Sequence, residues 1–340
     1  MATGPTIRDV AARAGTSTAV VSYVLNDGPR PVAPATRARV LSAVAELGYR
    51  RNNLARALRA NRTGTIGLVV PDLAKPFFAE LVRAIEDAAF ARGFRLLVGS
   101  AHFDGDREGE QLQALLDARV DAMLLAPSHD PAPAVALLRR AQLPHVLVHR
   151  THPGTVCVTG DDTDAGRQAA EHLLGHGHDH IALLGAGTGD DPVSLRARGA
   201  GAALLEGNGP MPPWSTLTCP FPNLRDDAYR ATRTLLATHP HITAICATTD
   251  EHALGALRAA TEAGRRVGDD LALVSIDGTA LGAYLTPALT TVAAPFDALG
   301  ADAIDAVLDA ADPADPADPA GSVRRHRLTL TARRSCGCRP

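Results

Sequence analysis

The chain has 340 residues, 46% of them hydrophobic and only 4% aromatic, with a formal net charge of −3. That length and apolar content suit a small unit plus a body large enough for two cores. No apolar run is long enough to span a bilayer, and the Met-Ala-Thr-Gly-Pro start has no apolar leader, so a cytoplasmic protein without a membrane partner is expected. The five cysteines, Cys157, Cys219, Cys246, Cys336 and Cys338, are odd in number and mostly scattered, which fits reduced thiols rather than a disulfide framework. Charge is unevenly placed. The first 62 residues hold ten arginines against Asp9, Asp27 and Glu46, a surplus of seven, which leaves −10 for the remainder. A basic first fifth on an acidic body is the footprint of a nucleic-acid-binding unit on a soluble carrier.

In chain order, Thr6 with Asp9 makes a capping-box-like start to a helix that puts Ile7, Val10 and Ala14 on one face and ends at Gly15. Ser17 caps a second helix. Val20, Val21 and Val24 face back toward the first helix, leaving Thr18, Ala19 and Tyr23 outside, as in a helix-turn-helix. Any small helical hairpin meets that pattern, so the neighbours decide. After Pro34-Ala-Thr, the set Val40, Leu41, Val44 and Leu47 recurs at helical spacing and predicts a third helix. Arg51 to Arg62 carries Leu54 and Leu58 at i, i+4, a helix too short to be stable alone.

From Thr65 buried strands alternate with amphipathic helices. Strands are expected at 66–70, 95–99, 122–125 and 145–148, then at 181–184, 244–248 and 271–276. Helices are expected at 77–92 and 107–119, then at 164–175, 195–206, 226–238 and 251–263. The rhythm predicts two doubly wound parallel-sheet lobes with a cleft at their strand carboxyl ends. The Ala-Asp-Pro repeats of 311–320 predict a surface loop before a final Arg-rich strand.

Gly185-Ala-Gly-Thr-Gly189 follows a strand but fails as a dinucleotide fingerprint, because Asp190 and Pro192 come next. His172 and His176 have the i, i+4 spacing of a metal pair, but with no carboxylate to complete a set they are read as histidines favoured by a helix end. Cys336-Gly-Cys338 is read as a tail without metal partners. No catalytic constellation, metal or cofactor is expected. Asp277 ends the buried strand LALVSID, where a carboxylate is costly unless it meets a ligand or a cation, and Arg196 lies beyond another strand end.

The order TIRDVAARAGTSTAVVSYVLN, TRARVLSAVAELGY, NNLARALR and IGLVVPDLAKPFFAEL resembles the LacI/GalR family of transcription regulators, over essentially the whole chain. The resemblance implies an all-α helix-turn-helix head at 1–50, a hinge helix at 51–63 and an α/β effector-binding and dimerisation body at 64–340. The body has two lobes of periplasmic-binding-protein type, one of about 64–162 and 293–321, the other of about 163–292 and 322–340, with crossings near Thr163, Val292 and Ser322. It implies a DNA-binding transcriptional regulator, a repressor, that works as a homodimer on double-stranded operator DNA in the nucleoid. Ser17, Ser22 and Asn26 would position the head on the backbone, Thr18, Ala19 and Tyr23 would read base edges, and Thr6 would be a further DNA-binding residue. Arg56 and Leu58 would act in the minor groove.

In the body, the resemblance implies effector contacts from Phe78, Asp161, Arg196, Phe221, Thr249, Asp250, Asp277 and Phe296, and a dimer interface at Leu254 and Tyr284. Charged groups that fork onto hydroxyls or a carboxylate, with aromatic faces beside them, suit a sugar or a purine-like small molecule, with a carbohydrate the expected effector. His149, Arg150, Gly160 and Lys75 depart from the family's usual residues. The alternatives are a solute-binding module, which has no use for residues 1–62, and a sugar or nucleotide enzyme, for which no nucleophile, base or metal set is visible.

Overall fold

The computed structural model describes residues 5–26, 30–49, 62–186, 189–212, 215–219, 224–311 and 321–338. The chain divides into two compact units, Met1–Thr63 and Gly64–Pro340. The hinge expectation at 51–61, with Arg56 and Leu58, lies outside the described residues, as do Phe221 and most of the Ala-Asp-Pro stretch.

In the first unit, α1 (Ile7–Ala14) starts at the Thr6–Asp9 capping box and stops at Gly15, which takes the left-handed conformation of a C-cap at φ +59°. Ser17 Oγ accepts from the Val20 amide as α2 (Thr18–Asn26) begins. α3 (Pro34–Leu47) closes the core, in which Val10, Ala14, Val21, Val24 and Val40 are buried. Leu41 is not in that core. It is 49% exposed, because Val40, Ala43, Val44 and Leu47 already follow the i, i+3, i+4, i+7 stripe and the next residue falls about 100° away.

The body's first lobe carries β1 (Thr65–Val70), α4 (Pro76–Ala91), β2 (Arg95–Ser100), α5 (Gly105–Asp117), β3 (Ala122–Leu125), α6 (Ala132–Arg140), β4 (His145–Val148) and β5 (Cys157–Gly160). The second carries α7 (Asp162–Gly175), β6 (Ile181–Ala186), α8 (Pro192–Asn208), β7 (Thr216–Thr218), α9 (Leu224–Thr238), β8 (Ala244–Ala247), α10 (Asp250–Glu262), β9 (Ala272–Asp277), a 3₁₀ turn (Ala280–Tyr284) and β10 (Thr290–Ala293). α11 (Phe296–Ala310) and β11 (Val323–His326) return to the first lobe; β12 (Thr329–Thr331) and the 3₁₀ turn Arg334–Cys336 belong to the second.

The first sheet runs β11-β5-β4-β3-β1-β2 and the second β12-β10-β9-β8-β6-β7, all parallel but for the β10–β12 pair. Each sheet is covered on both faces, so its central strands are continuously apolar, as in β3 and β8. The third crossing is not near Ser322. β11 pairs with β5 from Val323–Cys157 to His326–Gly160, so that segment stays in the first lobe and the chain crosses at Arg327–Leu328. The other crossings fall at Asp161–Asp162 and Ala294–Pro295.

A second correction concerns the tail. Cys336 and Cys338 do not lack partners: they meet His172 and His176 at the end of α7. Residues far apart in sequence meet there because the Arg334–Cys336 turn is pinned beneath β9 and β10, where the Ser335 hydroxyl donates to the Leu273 carbonyl. No helix among the described residues is long and apolar enough to cross a membrane.

Candidate nucleic-acid interface and effector cavity

On the head, Thr18 and Ala19 are exposed and Ser22 and Tyr23 half-buried, all on α2; Ser17 is exposed at its start. Asn26 ends the helix. Thr6 is exposed, but its hydroxyl and amide are both bonded to the Asp9 carboxylate, at 2.8 and 2.7 Å. That bonding holds the Asp9 pKa below the usual carboxylate value. The exposed start of α2 thus offers short polar and apolar side chains together with the orphan amides of a helix N-terminus.

In the body a small cavity, partly open to solvent, is lined among others by Phe77, His149, Gly160, Asp162, Arg196 and Leu328. Ala294 lines it too, so each of the three crossings contributes to its wall. Arg196, on the first turns of α8, is 2% exposed. Its Nε donates to Asp162 Oδ1 at 2.7 Å; its Nη1 donates to Asp277 Oδ1 at 2.6 Å and to the Thr248 carbonyl at 3.0 Å. Among the described residues no acceptor meets Nη2. The guanidinium carbon sits 5.9 Å from the centre of the Phe77 ring.

Burial alone would lower the Arg196 pKa, but Asp162 and Asp277 outweigh it and keep the guanidinium charged. Burial pushes the Asp277 pKa up to about 7, with Arg196 opposing, and pushes Asp162 upward in the same way. Asp277 has φ +142°, a strained conformation for an L residue that closes β9. Its Oδ2 accepts from the Asp250 amide at 3.1 Å. His149 packs its ring 4.7 Å from that of Phe77, and burial, then the charges of Arg196 and Arg150, hold its pKa well below the ordinary value. It is a neutral donor and acceptor in the cavity wall.

The structure separates the proposed effector residues. Arg196 lines the cavity, and Asp277 is bonded to it. Phe78 does not line the cavity. It is 6% exposed in the first-lobe core, because adjacent residues on a helix point about 100° apart and Phe77 takes the cavity side. Asp161 is half-buried and caps α7 through the Asp164 amide; the next residue, Asp162, is the one that reaches Arg196. Thr249 caps α10 and bonds His252.

Asp250 is held by Ser275, Thr291 and Thr279, the last through both hydroxyl and amide, at 2.6 to 3.0 Å, so its carboxylate is occupied inside the fold. Phe296 packs half-buried, 5.3 Å from the Phe77 ring. Phe77, Asp162 and His149 are among the cavity residues that were not proposed as contacts. The signal for the first two was present in the Phe-Phe and Asp-Asp pairs, which spacing alone does not resolve. Leu254 is half-buried on α10, and Tyr284 is 86% exposed beside Leu281. Lys75 Nζ lies 3.5 Å from Glu251 Oε2, and Glu80 Oε1 accepts from the Ala280 amide at 2.6 Å, so both contacts tie one lobe to the other.

The family model described as "Bacterial regulatory proteins, lacI family" matches residues 6–52, and "Periplasmic binding proteins and sugar binding domain of LacI family" matches 63–323. The ribose operon repressor of Halalkalibacterium halodurans is 37% identical over 297 residues, covering 87% of each chain. The lac repressor dimer bound to operator and the anti-inducer ONPF is similar with a TM-score of 0.82 and 28% identity, over 98% of this chain and 99% of that one. A LacI family regulator from Enterococcus faecium with bound ribose gives a TM-score of 0.70 and 28% identity, over 80% and 98%. Both units, the capped helix-turn-helix and the two-lobed body, are thus matched by models of one family: the chain belongs to the LacI family of bacterial regulatory proteins.

Proposed function

We propose that the protein is a transcriptional repressor that binds operator DNA as a homodimer and is controlled by a carbohydrate held in the inter-lobe cavity. The observation that carries this reading is Arg196, charged, buried between Asp162 and Asp277, with Nη2 left for a ligand in a cavity that all three crossings line. Such a group forks onto neighbouring hydroxyls, and Phe77 and His149 supply flat faces for a sugar ring. The relatives named for ribose support a pentose or a similar small sugar. On the head, Thr18, Ala19 and Tyr23 read base edges, while Ser17, Ser22 and Asn26 fix the backbone. Arg56 and Leu58, outside the described residues, are assigned to the minor groove on sequence grounds. Exposed Leu281 and Tyr284 support a subunit contact at that face. The reading requires no catalytic step, and the protein works where the DNA is, in the cytoplasm.

A ligand that prefers one lobe arrangement shifts operator affinity by its differential affinity for the two arrangements. The test is an operator selected from a random duplex pool, titrated by fluorescence anisotropy at fixed salt with and without a panel of pentoses and hexoses. Sequence-selective binding that one sugar changes at least about fivefold is expected. Binding equal on selected and scrambled duplex overturns the repressor reading. Selective binding unmoved by any sugar of the panel overturns the carbohydrate assignment.

A further inference from the structure

Two stretches that play no part in the effector cavity converge on the far end of α7. His172 and His176 lie one turn apart there, with ring centres 4.7 Å apart. Cys336 and Cys338 approach from the C-terminal turn, where Gly337 at φ +87° reverses the chain between them. Cys338 Sγ is 3.3 Å from His176 Nε2 and 3.7 Å from His172 Nε2, and the ligand atoms of all four residues lie within 4.8 Å of one another. We propose that these four residues bind one Zn²⁺ ion in a closed tetrahedral site that fastens the C-terminal segment to the end of α7.

Geometry is the main argument. With Zn–S near 2.3 Å and Zn–N near 2.0–2.1 Å, the edges of the tetrahedron are about 3.3–3.8 Å long, the range of the two Cys338 contacts. A thiol–imidazole hydrogen bond would explain one pair; four nitrogen and sulfur donors all within 4.8 Å of one another are what a cation would gather. The donor set, two thiolates and two imidazoles with no oxygen, selects zinc over magnesium, calcium or manganese. The helix end adds the negative pole of its dipole, which attracts a cation. Four protein ligands leave no position for water or substrate, so the site is structural.

Both halves are placed independently of any ion. The histidines follow from helical spacing. Cys336, 2% exposed, is set by Ser335, whose hydroxyl bridges the Leu273 carbonyl and the Thr290 amide while its own amide donates to Ala288. The clamp therefore joins the helix whose first residue is Asp162, the partner of Arg196, to the underside of β9, which ends at Asp277.

The test uses the full chain, purified in reductant without a metal-affinity tag, stripped with chelator and reloaded with zinc chloride. Atomic emission should give one zinc per chain, and cobalt(II) in its place should show thiolate-to-cobalt charge transfer and the intense d–d bands of a tetrahedral site. Cys338→Ser and His176→Ala, at partly exposed and exposed positions, should each weaken binding at least about tenfold. His180→Ala, a neighbouring histidine outside the cluster, should retain it. Chelation should lower the melting temperature of the wild type by several degrees and leave that of the Cys338→Ser variant unchanged. Substoichiometric zinc in the reduced protein overturns the proposal. So does a six-coordinate cobalt spectrum, or equal binding by the Cys338→Ser/His176→Ala double variant.

Discussion

Arg196 holds two buried carboxylates, so its removal is a question of stability before it is one of ligand binding. Arg196→Ala leaves Asp162 and Asp277 buried without a cation and should cost the body about 3–5 kcal/mol in urea unfolding. Adding Asp162→Asn and Asp277→Asn should restore most of that stability but no ligand binding. If the single variant is as stable as wild type, the ion-pair network has been misjudged. His252 offers a test by pH. Burial holds its pKa down at about 4, against 6.5 for an ordinary histidine, while Nδ1 stays within 2.9 Å of Thr249 Oγ1. Between those values the unfolded chain takes up a proton that the folded one refuses, so this group costs roughly 3 kcal/mol of stability as pH falls from 6.5 to 4. Asp277, raised to about 7, has the opposite sign over the same range, since the folded state keeps its proton longer. The expected result is thus a difference: His252→Gln should flatten the acid limb relative to wild type, and parallel profiles would refute the assignment. At this scale the resemblance pointed to Phe78 and Asp161, each one residue away from the side chain that lines the cavity. Which of Phe77 and Phe78, or of Asp161 and Asp162, faces the cavity depends on where each helix starts and lies, which only packing against the sheets decides.

At the scale of elements, α7 and α8 touch backbone to backbone. A Cβ on Gly166 would stand 1.9 Å from the Arg196 carbonyl oxygen, and one on Gly199 equally close to that of Thr163. This approach sets the Asp162–Arg196 distance. Gly199→Ala should force the helices apart, costing about 1–3 kcal/mol by thermal unfolding and weakening effector binding along with it. Gly201→Ala, in the same helix with nothing within 4 Å of its Cβ, should instead stabilise by up to about 1 kcal/mol. Stabilisation by both would mean that helix propensity and not contact governs the pair. The buried strands β1, β3, β4, β6, β8 and β9 were legible because strands covered on both faces are continuously apolar. β5, β7 and β12 were not, having three or four residues each; β11, the expected Arg-rich strand, was read from its place after the Ala-Asp-Pro stretch, since its Val-Arg-Arg-His alternates half-buried and exposed positions along a sheet edge. The convergence of the α7 histidines on the C-terminal cysteines was invisible for another reason, since sequence spacing carries no information about contacts across 160 residues.

At the scale of the body, Lys75–Glu251 and Glu80–Ala280 are polar contacts between described residues that bridge the lobes. Lys75 is the only lysine in the chain. A partly buried pair of this kind contributes roughly 1 kcal/mol, enough to change the ratio of two lobe arrangements about fivefold. Lys75→Met should therefore broaden the distribution of lobe-to-lobe distances measured between spin labels in the ligand-free protein, and an unchanged distribution would show that the crossings alone fix the arrangement. The interleaving of the lobes has a further consequence, for synthesis. β5 at residues 157–160 gains its outer neighbour only from 323–326, and the second sheet receives β12 only at 329–331. Neither lobe can complete its sheet until almost the whole chain has left the ribosome, whereas the head has its three helices by residue 47. Each molecule therefore passes through a stage in which a finished DNA-reading unit is followed by two open sheet edges, and residues 323–331 close both as they emerge.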